Sequence, residues 1–466
     1  MSDLSLEKNI VEDKIKGLSD KEIGNKYNVN LKFIEKSITK SLGINVSNPS
    51  NIKSIKKLIP KDFQLEQNSV WSFKSRGNWA THNGNYRGNW SPYIPRNIIL
   101  KYSNEWDLVL DYFCGSGTTA VECKLLNRNF IGIDINENAI KLAKENINFS
   151  YLFKTAIDFK VGDARNLDSI NGNSIDLICA HPPYSNIVNY THNNDNDLSN
   201  YDVNDFLDEI ERVAKESYRV LKDNKYCSIL IGDMRKNKNV IPLGFWTIEK
   251  YLKAGFKLKE LIIKRQHNCK TTGFWYTNSI KFNFLLLAHE YLAVFEKSKK
   301  GEIDNEKSGT VNILYDEYQK INFIQKDDIQ QESTTVWIFE KEDWIANTLN
   351  NLIKRYSKGN YLIYNNNKKI SDLLIYFYDN HFIGSSDDFD TYLENEGILA
   401  IICEDDRLNN HLINSSPVYV EKFFNKNKKL KIKEIVVVQI KDLNNLNNIN
   451  EDLNINHKYI VIYKKV

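Results

Sequence analysis

The stretch that begins at Asp107 alternates short apolar runs with helical patterns, and this alternation constrains the fold more than any other feature of the chain. An apolar run from Leu108 to Leu110 leads into a glycine-rich turn and a helical pattern that continues through Leu126. Further apolar runs follow at Asn129–Ile133 and Ile175–Ala180, with another helical pattern between them. Because helices that connect successive strands cover the faces of a parallel sheet, this order predicts a doubly wound, Rossmann-like α/β fold.

The turn after the first predicted strand carries residues suited to a ligand. Its two glycines let the backbone approach a bound molecule while the N–H groups of the next helix face it. An aspartate ends the following strand 17 residues after the second glycine, near the spacing at which a carboxylate accepts hydrogen bonds from ribose hydroxyls. Together the two motifs predict a nucleoside-bearing cofactor. The candidate cofactor-binding residues are Asp111, Phe113, Gly115, Gly117, Thr118, Thr119 and Asp134.

Two later strand ends carry further candidates. Asp163 is placed to accept a hydrogen bond from an adenine amino group, or alternatively to cap nearby backbone. The next buried strand ends in His181, Pro182, Pro183 and Tyr184, and prolines at a strand end keep their carbonyls out of the sheet ladder. This suits methylation of a ring amino group, because fixed acceptors at His181 and the Pro182 carbonyl draw the nitrogen toward tetrahedral geometry. Tyr184 would stack on a base extruded from a duplex.

With these motifs in order, the chain resembles the amino-methyltransferases that act on N4 of cytosine or N6 of adenine in DNA. The F-x-G-x-G loop from Phe113 to Gly117 precedes the x-P-P-Tyr motif, an order similar to the gamma arrangement of that family. Ahead of both, Trp90–Pro95 matches the segment that closes over the methionine end of the cofactor, so the resemblance adds Pro95 to the cofactor-binding residues. It implies S-adenosyl-L-methionine as cofactor, double-stranded DNA as substrate and His181 to Tyr184 as catalytic residues.

His181 departs from the family pattern, which has Asp, Asn or Ser at that position. Asp or Asn would indicate adenine and Ser cytosine, so the target base stays open. A neutral imidazole accepts one hydrogen bond and a protonated one accepts none, so activity should fall below about pH 6. An RNA or tRNA amino-methyltransferase is the alternative enzyme, and a noncatalytic DNA-binding regulator is a second alternative, disfavoured by the intact cofactor motifs.

The N-terminal residues resemble a helix-turn-helix, which favours DNA over RNA. Ser19 to Glu22 has the form of a capping box, Asn28 suits a left-handed turn, and Asn30 suits the cap of a third helix. A small helical bundle with a solvated lysine face is the alternative. The lysines expected on the exposed side of the third helix are Lys32, Lys36 and Lys40.

The C-terminal third echoes the central region in the same order. Ile231–Arg235 is matched by Cys403–Arg407, and Lys259–Ile263 by Lys433–Val437. The second copy lacks the glycine-rich loop, the strand-end acids and the Pro-Pro-Tyr motif, so we predict a degenerate methyltransferase-like domain for target recognition or dimerisation. Chance similarity is the alternative. Further matches pair Asn97–Val109 with Asn351–Ile363, Glu249–Lys250 with Glu421–Lys422, and His289–Tyr291 with His457–Tyr459.

Composition limits the remaining classes. The formal net charge is only +3, so DNA must be met by local patches. The 6 cysteines form no C-x-x-C pair, which argues against a zinc site and a disulfide scaffold, and no apolar run is long enough for a membrane span. We expect a cytoplasmic prokaryotic enzyme without a metal, partnered by a cognate restriction endonuclease in a restriction-modification system. The predicted domains are a helix-turn-helix (1–45), a linker (46–69), the catalytic domain (70–298), a linker (299–330) and the degenerate domain (331–466).

Overall fold

A computed structural model describes most of the chain. It leaves out residues 1–2, 32, 35–36, 39–54, 56, 62, 153, 186–195, 268–271, 300–312, 327, 329, 365–368, 379–385, 409–410, 414–415 and 442–451. Lys32, Lys36 and Lys40, the three lysines predicted on the third N-terminal helix, therefore lie outside the described residues, as does much of both predicted linkers.

The described residues form alternating helices and strands. The helices are α1 (Asp3–Ile15), α2 (Asp20–Tyr27), α3 (Tyr93–Tyr102), α4 (Thr118–Leu125), α5 (Glu137–Asn146), α6 (Val203–Val220), α7 (Leu243–Lys253), α8 (Thr272–Lys281), α9 (Ile313–Lys320), α10 (Trp344–Tyr356) and α11 (Ser416–Phe424). The strands through the central region are β1 (Val70–Trp71), β2 (Leu108–Asp111), β3 (Asn129–Asp134), β4 (Ile157–Val161), β5 (Ile175–Ala180), β6 (Leu221–Ile231), β7 (Met234–Lys236), β8 (Asn239–Ile241), β9 (Lys257–Arg265) and β10 (His289–Lys297). The C-terminal strands are β11 (Val336–Glu340), β12 (Tyr361–Ile363), β13 (Ser371–Phe377), β14 (Leu393–Cys403), β15 (Asp406–Leu408), β16 (His411–Ile413), β17 (Leu430–Lys441) and β18 (His457–Lys465).

The N-terminal helices begin and end where the sequence predicts. Ser19 caps α2 in a complete capping box with Glu22, because each residue's side chain bonds the other's backbone N–H. Asn28 ends α2 in the left-handed conformation, and the Asn30 side chain accepts a hydrogen bond from the backbone of Phe33 at 2.9 Å. These three local predictions are confirmed.

The chain divides into two compact units, of which the first contains residues 1–66, 75–229 and 296–299. Its strands lie in the order β4-β3-β2-β5-β6, and every neighbouring pair is parallel. All six residues of β5 are buried, as expected for a strand covered on both faces. The prediction of a parallel α/β sheet is confirmed. Parallel strands bring the carboxyl ends of β2, β3, β4 and β5 to the same edge.

The second unit contains residues 67–74, 230–295 and 300–466. It includes a six-stranded sheet in the order β11-β17-β18-β14-β13-β12, in which β18 is antiparallel to both of its neighbours. A core that includes Trp337, Leu349, Ile375 and Ile460 packs around this sheet. The order β11-β17-β18 repeats β1-β9-β10 of the same unit, and β14-β13-β12 repeats β6-β5-β2 of the first unit.

Equivalent hydrogen bonds occur twice inside the second unit, and each joins a residue of one copy to a residue of the other. Ser69 bonds the His457 ring nitrogen Nδ1 at 2.7 Å, and Thr335 bonds the same ring atom of His289 at 2.9 Å. Each of the two histidines also bonds a tyrosine two residues further along its own strand. A residue at one position of the first copy contacts a second position in the other copy, and the reverse contact is also made. Such reciprocal contacts indicate that the two copies are related by a two-fold axis. They support the internal repeat, while the domain boundaries stay a prediction.

Membrane insertion finds no support among the described residues, since none of their helices combines the length and apolarity that a bilayer span requires.

Candidate active site

A cleft in the first unit lies at the sheet edge where the carboxyl ends of β2 to β5 meet. Asp111 from β2, Asp134 from β3, Gly162 after β4 and His181 after β5 all line it. Its empty volume, open mouth included, is about 810 Å³. Ligands of open α/β sheets bind at this edge. The structure thus brings together acids and ring residues that lie far apart in the sequence.

The glycine-rich turn between β2 and α4 requires its glycines for conformation and for space. Gly115 and Gly117 have φ angles of 49° and 83°, both in the left-handed region that disfavours side chains. A Cβ on Gly117 would lie 3.0 Å from the Cβ of Ala143 in α5. Gly115 lines the cleft, whereas Gly117 lies behind it as the N-cap residue of α4. Only a glycine at both positions lets the turn hold this shape.

Asp111 holds the turn from inside. Its carboxylate accepts hydrogen bonds from the Phe113 backbone N–H at 3.0 Å and from the Thr119 hydroxyl at 2.6 Å. Burial raises the pKa of Asp111 to about 7, while these two bonds lower it. Phe113 and Thr118 line the cleft, but Thr119 does not. Thr119 therefore acts on the cleft through the position of Asp111.

Asp134 at the end of β3 faces the cleft with its carboxylate fixed by two backbone groups. One oxygen accepts from the N–H of Gly115 at 2.8 Å and the other from the N–H of Asn136 at 2.9 Å. Burial raises the pKa of Asp134 to about 6, although the two bonds lower it. Each carboxylate oxygen has two acceptor sites, so Asp134 can accept further hydrogen bonds from a ligand.

Affinity for S-adenosylmethionine should fall as the pH drops through the pKa of Asp134. Above about pH 6 the carboxylate is ionised and accepts hydrogen bonds at both oxygens, whereas below it one oxygen carries a proton. We expect the dissociation constant at pH 5 to be about tenfold higher than at pH 7.5. Calorimetric titration across this range measures it. Asp134→Asn should bind more weakly and lose most of this pH dependence, with a remainder from Asp111, whose pKa is about 7. The full wild-type dependence in that variant would contradict the assignment.

Asp163, after β4, lines the cleft but already has a strong partner. Arg165 donates to both of its oxygens, at 2.6 to 3.0 Å, and also pairs with Glu209 at 2.7 Å. The guanidinium thus fixes the orientation of the Asp163 carboxylate. Asp163 thus caps nearby backbone, accepting from the Arg165 backbone N–H at 2.9 Å, and it also lines the cleft, where the contact with adenine stays a prediction.

The four residues after β5 form a compact group. Pro182 is buried, and the His181 ring nitrogen Nε2 lies 2.9 Å from the Tyr184 hydroxyl. The indole of Trp90 stacks on the His181 ring with 5.6 Å between centroids and 17° between planes. His181, Pro182 and Pro183 line the cleft, with Tyr184 reached through His181. The imidazole is therefore held by an aromatic face and a hydroxyl.

The structure adds cleft residues that sequence motifs did not indicate. Tyr86 and Asn89 line the cleft, and the Asn89 side chain bonds the Ser116 hydroxyl in the glycine-rich turn at 2.6 Å. Arg76 donates to the backbone oxygens of Asn89 and Trp90 at 2.7 and 2.9 Å, which fixes this segment. No local pattern marks such a loop, because its position depends on partners distant in the sequence. Three more cleft residues are Asn196, Asp197 and Leu198.

Pro95 occupies a different place from the other candidates. It is buried in the first turn of α3 and is not among the residues that line the cleft. The next residue, Arg96, donates to the fully buried Glu122 of α4 at 2.8 Å, and Trp79 donates to the same carboxylate at 2.7 Å. This part of the chain thus packs behind the cleft and anchors the segment that carries Asn89.

Comparison with known proteins matches this part of the chain to two family models. One family model, described as a DNA methylase, matches residues 11–145, and another, described as a methyltransferase domain, matches residues 104–272. These residues form a domain of the DNA methylase family. The family predicted from the motifs is confirmed, and S-adenosylmethionine is the cofactor of this class of domain.

Curated relatives match shorter parts of the chain. The type II methyltransferase M.HpaI of Haemophilus parainfluenzae is 51% identical over 61 residues, which are 13% of this chain and 19% of that protein. M2.LlaDCHI of Lactococcus lactis subsp. cremoris is 40% identical over 86 residues, or 18% and 31% of the two chains. The chain therefore spans between 19% and 31% of the length of these two relatives.

Proposed function

We propose that the protein transfers a methyl group from S-adenosylmethionine to the exocyclic amino nitrogen of adenine or cytosine in double-stranded DNA. The observation that carries this proposal is the position of His181, Pro182 and Pro183, which line one cleft with Gly115 and Asp134, while Tyr184 lies beside His181. A cofactor site beside rigid acceptors and a ring suits amino-group methylation. Relatives that are type II methyltransferases support DNA as the substrate and a restriction-modification system as the setting, with a cognate endonuclease as partner.

The residues around the cleft fit the cofactor. The Asp134 carboxylate suits the ribose hydroxyls, and Asp163, oriented by Arg165, suits the amino group of the adenine ring. Gly115 lines the cleft without a side chain. A Cβ at this position would lie 3.2 Å from the Tyr86 ring and would be crowded. S-adenosylmethionine supplies a methyl group on a positively charged sulfur, and Asp111 is a nearby acid of the opposite charge when ionised.

The catalytic residues act by fixing the amino group. When His181 donates from Nε2 to the Tyr184 oxygen, its Nδ1 keeps a lone pair that accepts one amino proton. The carbonyl of Pro182, held by the two prolines, accepts the other proton. These two bonds would localise the nitrogen lone pair. The bonded Nδ1 of His181 would then take the proton that the nitrogen loses as it gains the methyl group and the sulfur leaves as a neutral thioether. In this proposal the Tyr184 ring stacks on the extruded base, an interaction worth about 1–3 kcal/mol.

The test is transfer of a labelled methyl group to unmethylated duplex DNA and, in parallel, to unmodified tRNA, followed by nucleoside analysis. We expect label in N6-methyladenine or N4-methylcytosine from DNA and its loss in Tyr184→Ala. The variant's affinity for S-adenosylmethionine serves as the control that its cofactor site is intact. Label in tRNA alone would replace the proposal by the RNA alternative, and cofactor binding without any transfer would favour a noncatalytic regulator.

A further inference from the structure

The second unit exposes aromatic and basic side chains together on α8 and the β7–β8 hairpin. Trp275 and Tyr276 on α8 are 48% and 46% exposed, and Phe282 just after the helix is 39% exposed. Lys238 of the hairpin turn lies 4.2 Å from the centre of the Phe282 ring, and Lys281 lies 5.2 Å from it. The hairpin and α8 are thus neighbours that share one surface, which we call the α8 surface.

The charge of the α8 surface has one sign. No Asp or Glu occurs between Lys264 and His289, nor between Met234 and Leu243. On the hairpin, Lys236 and Lys238 are exposed, whereas Arg235 is paired with Glu434 at 2.6 Å and adds no free charge. A patch that joins exposed rings to unopposed positive charge matches a polyanion with stacking bases better than it matches a protein partner.

The degenerate copy provides an internal comparison, because it has the same strand order without the catalytic motifs. Its connection from β17 to β18, residues 442–456, contains no aromatic residue, no Lys or Arg, and three acids, whereas the connection that contains α8 is basic and aromatic. Its hairpin β15–β16 reads Asp-Arg-Leu-Asn-Asn-His-Leu-Ile, with balanced charge. The copy that lacks the catalytic motifs thus also lacks the basic aromatic surface, so shared structure alone does not demand that surface.

We propose that the α8 surface binds the DNA substrate. Lys236, Lys238 and Lys281 contact phosphates, and Trp275 and Tyr276 contact bases or sugars. This inference rests on the proposed function and adds to it the place where the nucleic acid is held. It also places the DNA contacts on the copy that carries the catalytic motifs. The degenerate C-terminal copy then supports the fold and does not recognise the target.

The experiment measures binding of the full chain to fluorescent duplex DNA over a series of salt concentrations. Lys236→Glu with Lys238→Glu should weaken binding at least tenfold and lower the slope of log affinity against log salt by about 2, one for each phosphate contact. Trp275→Ala with Tyr276→Ala should weaken binding at least fivefold with little change of slope, since stacking does not release counterions. The affinity for S-adenosylmethionine should stay constant in both variants.

Matched controls come from the same unit. Lys426→Glu with Lys428→Glu makes the same charge change at exposed lysines elsewhere, and Tyr419→Ala removes a tyrosine that is 44% exposed. Both should bind DNA within about twofold of the wild type. Wild-type methyl transfer to DNA with unchanged affinity in the α8 variants would overturn the inference and leave the proposed function standing. Failure of the wild type to bind or methylate any DNA would overturn the proposed function itself.

Discussion

Replacing His181 by alanine is expected to lower kcat by about 10²–10³-fold, because it removes a fixed group that acts on the reacting nitrogen in the transition state. Cofactor affinity should change far less, since the ribose and adenine contacts are proposed for Asp134 and Asp163, which line another part of the cleft. Steady-state methyl transfer and calorimetric titration separate the two effects. Tyr184→Phe is the graded comparison, because it keeps the stacking ring and removes only the hydroxyl 2.9 Å from the imidazole. It should cost about tenfold, and a kcat within threefold of wild type in His181→Ala would contradict the role.

His181→Asn distinguishes an acceptor from a merely structural ring. An amide oxygen accepts a hydrogen bond and does not titrate, so this variant should keep more activity than alanine and lose the acid limb of the wild-type profile. The profiles are measured at saturating S-adenosylmethionine, which keeps the titration of Asp134 out of kcat. If kcat still falls at low pH in this variant, the titration of another group causes the fall.

The sequence predicted those residues of the site that belong to short contiguous motifs. The glycine-rich turn and Asp134 each follow an apolar strand, and parallel strands end at a common edge, so their meeting in one cleft follows from the pattern. The same reasoning predicted His181 at the neighbouring strand end. Gly115, Asp134 and His181 line the cleft, whereas Gly117 lies behind it at the start of α4.

The parts that were not predicted depend on long-range partners. Asn89 reaches the cleft through Ser116 and Arg76. Trp90 begins the segment that the sequence assigned to the methionine end of the cofactor, but its stacking on His181 was not predicted. Neither lies on a strand or helix whose period shows which way the side chain points. Pro95 was assigned by the position of its motif alone, and the helix that contains it turns this residue into the core. Loop geometry of this kind is set by tertiary contacts that no local pattern records.

The internal repeat shows a different balance between sequence and structure. The sequence showed short similar segments such as Ile231–Arg235 and Cys403–Arg407, but it did not show which residues they contact. In the structure, Arg235 donates to Glu434 at 2.6 Å and Arg407 donates to Glu260 at 2.5 Å. Each arginine of one copy thus pairs with a glutamate of the other. The echoed residues are therefore those that join the copies, which explains why they survive where the catalytic motifs are missing.

Breaking either of these pairs should destabilise the second unit by about 3–5 kcal/mol, because it leaves a buried carboxylate without its cation. Glu434 is 0% exposed and Glu260 is 1% exposed, so water cannot replace the guanidinium. Arg235→Met and Arg407→Met should have similar effects, measured by hydrogen exchange of β9, β10, β17 and β18. Lys422→Met is the matched control, since its ion pair on the surface is worth less than about 1 kcal/mol.

A second substitution identifies the cause of the loss. Glu434→Gln removes the charge but keeps an oxygen for the Leu285 backbone N–H, which now donates to it at 3.1 Å. Added to Arg235→Met, it should recover more than half of the lost stability, because the penalty belongs to the unpaired charge. A loss below about 1 kcal/mol in Arg235→Met would show that the pair does not join the copies. Equal losses at Arg235 and Arg407, each relieved by neutralising its own glutamate, would establish that the two copies are held by one contact used twice.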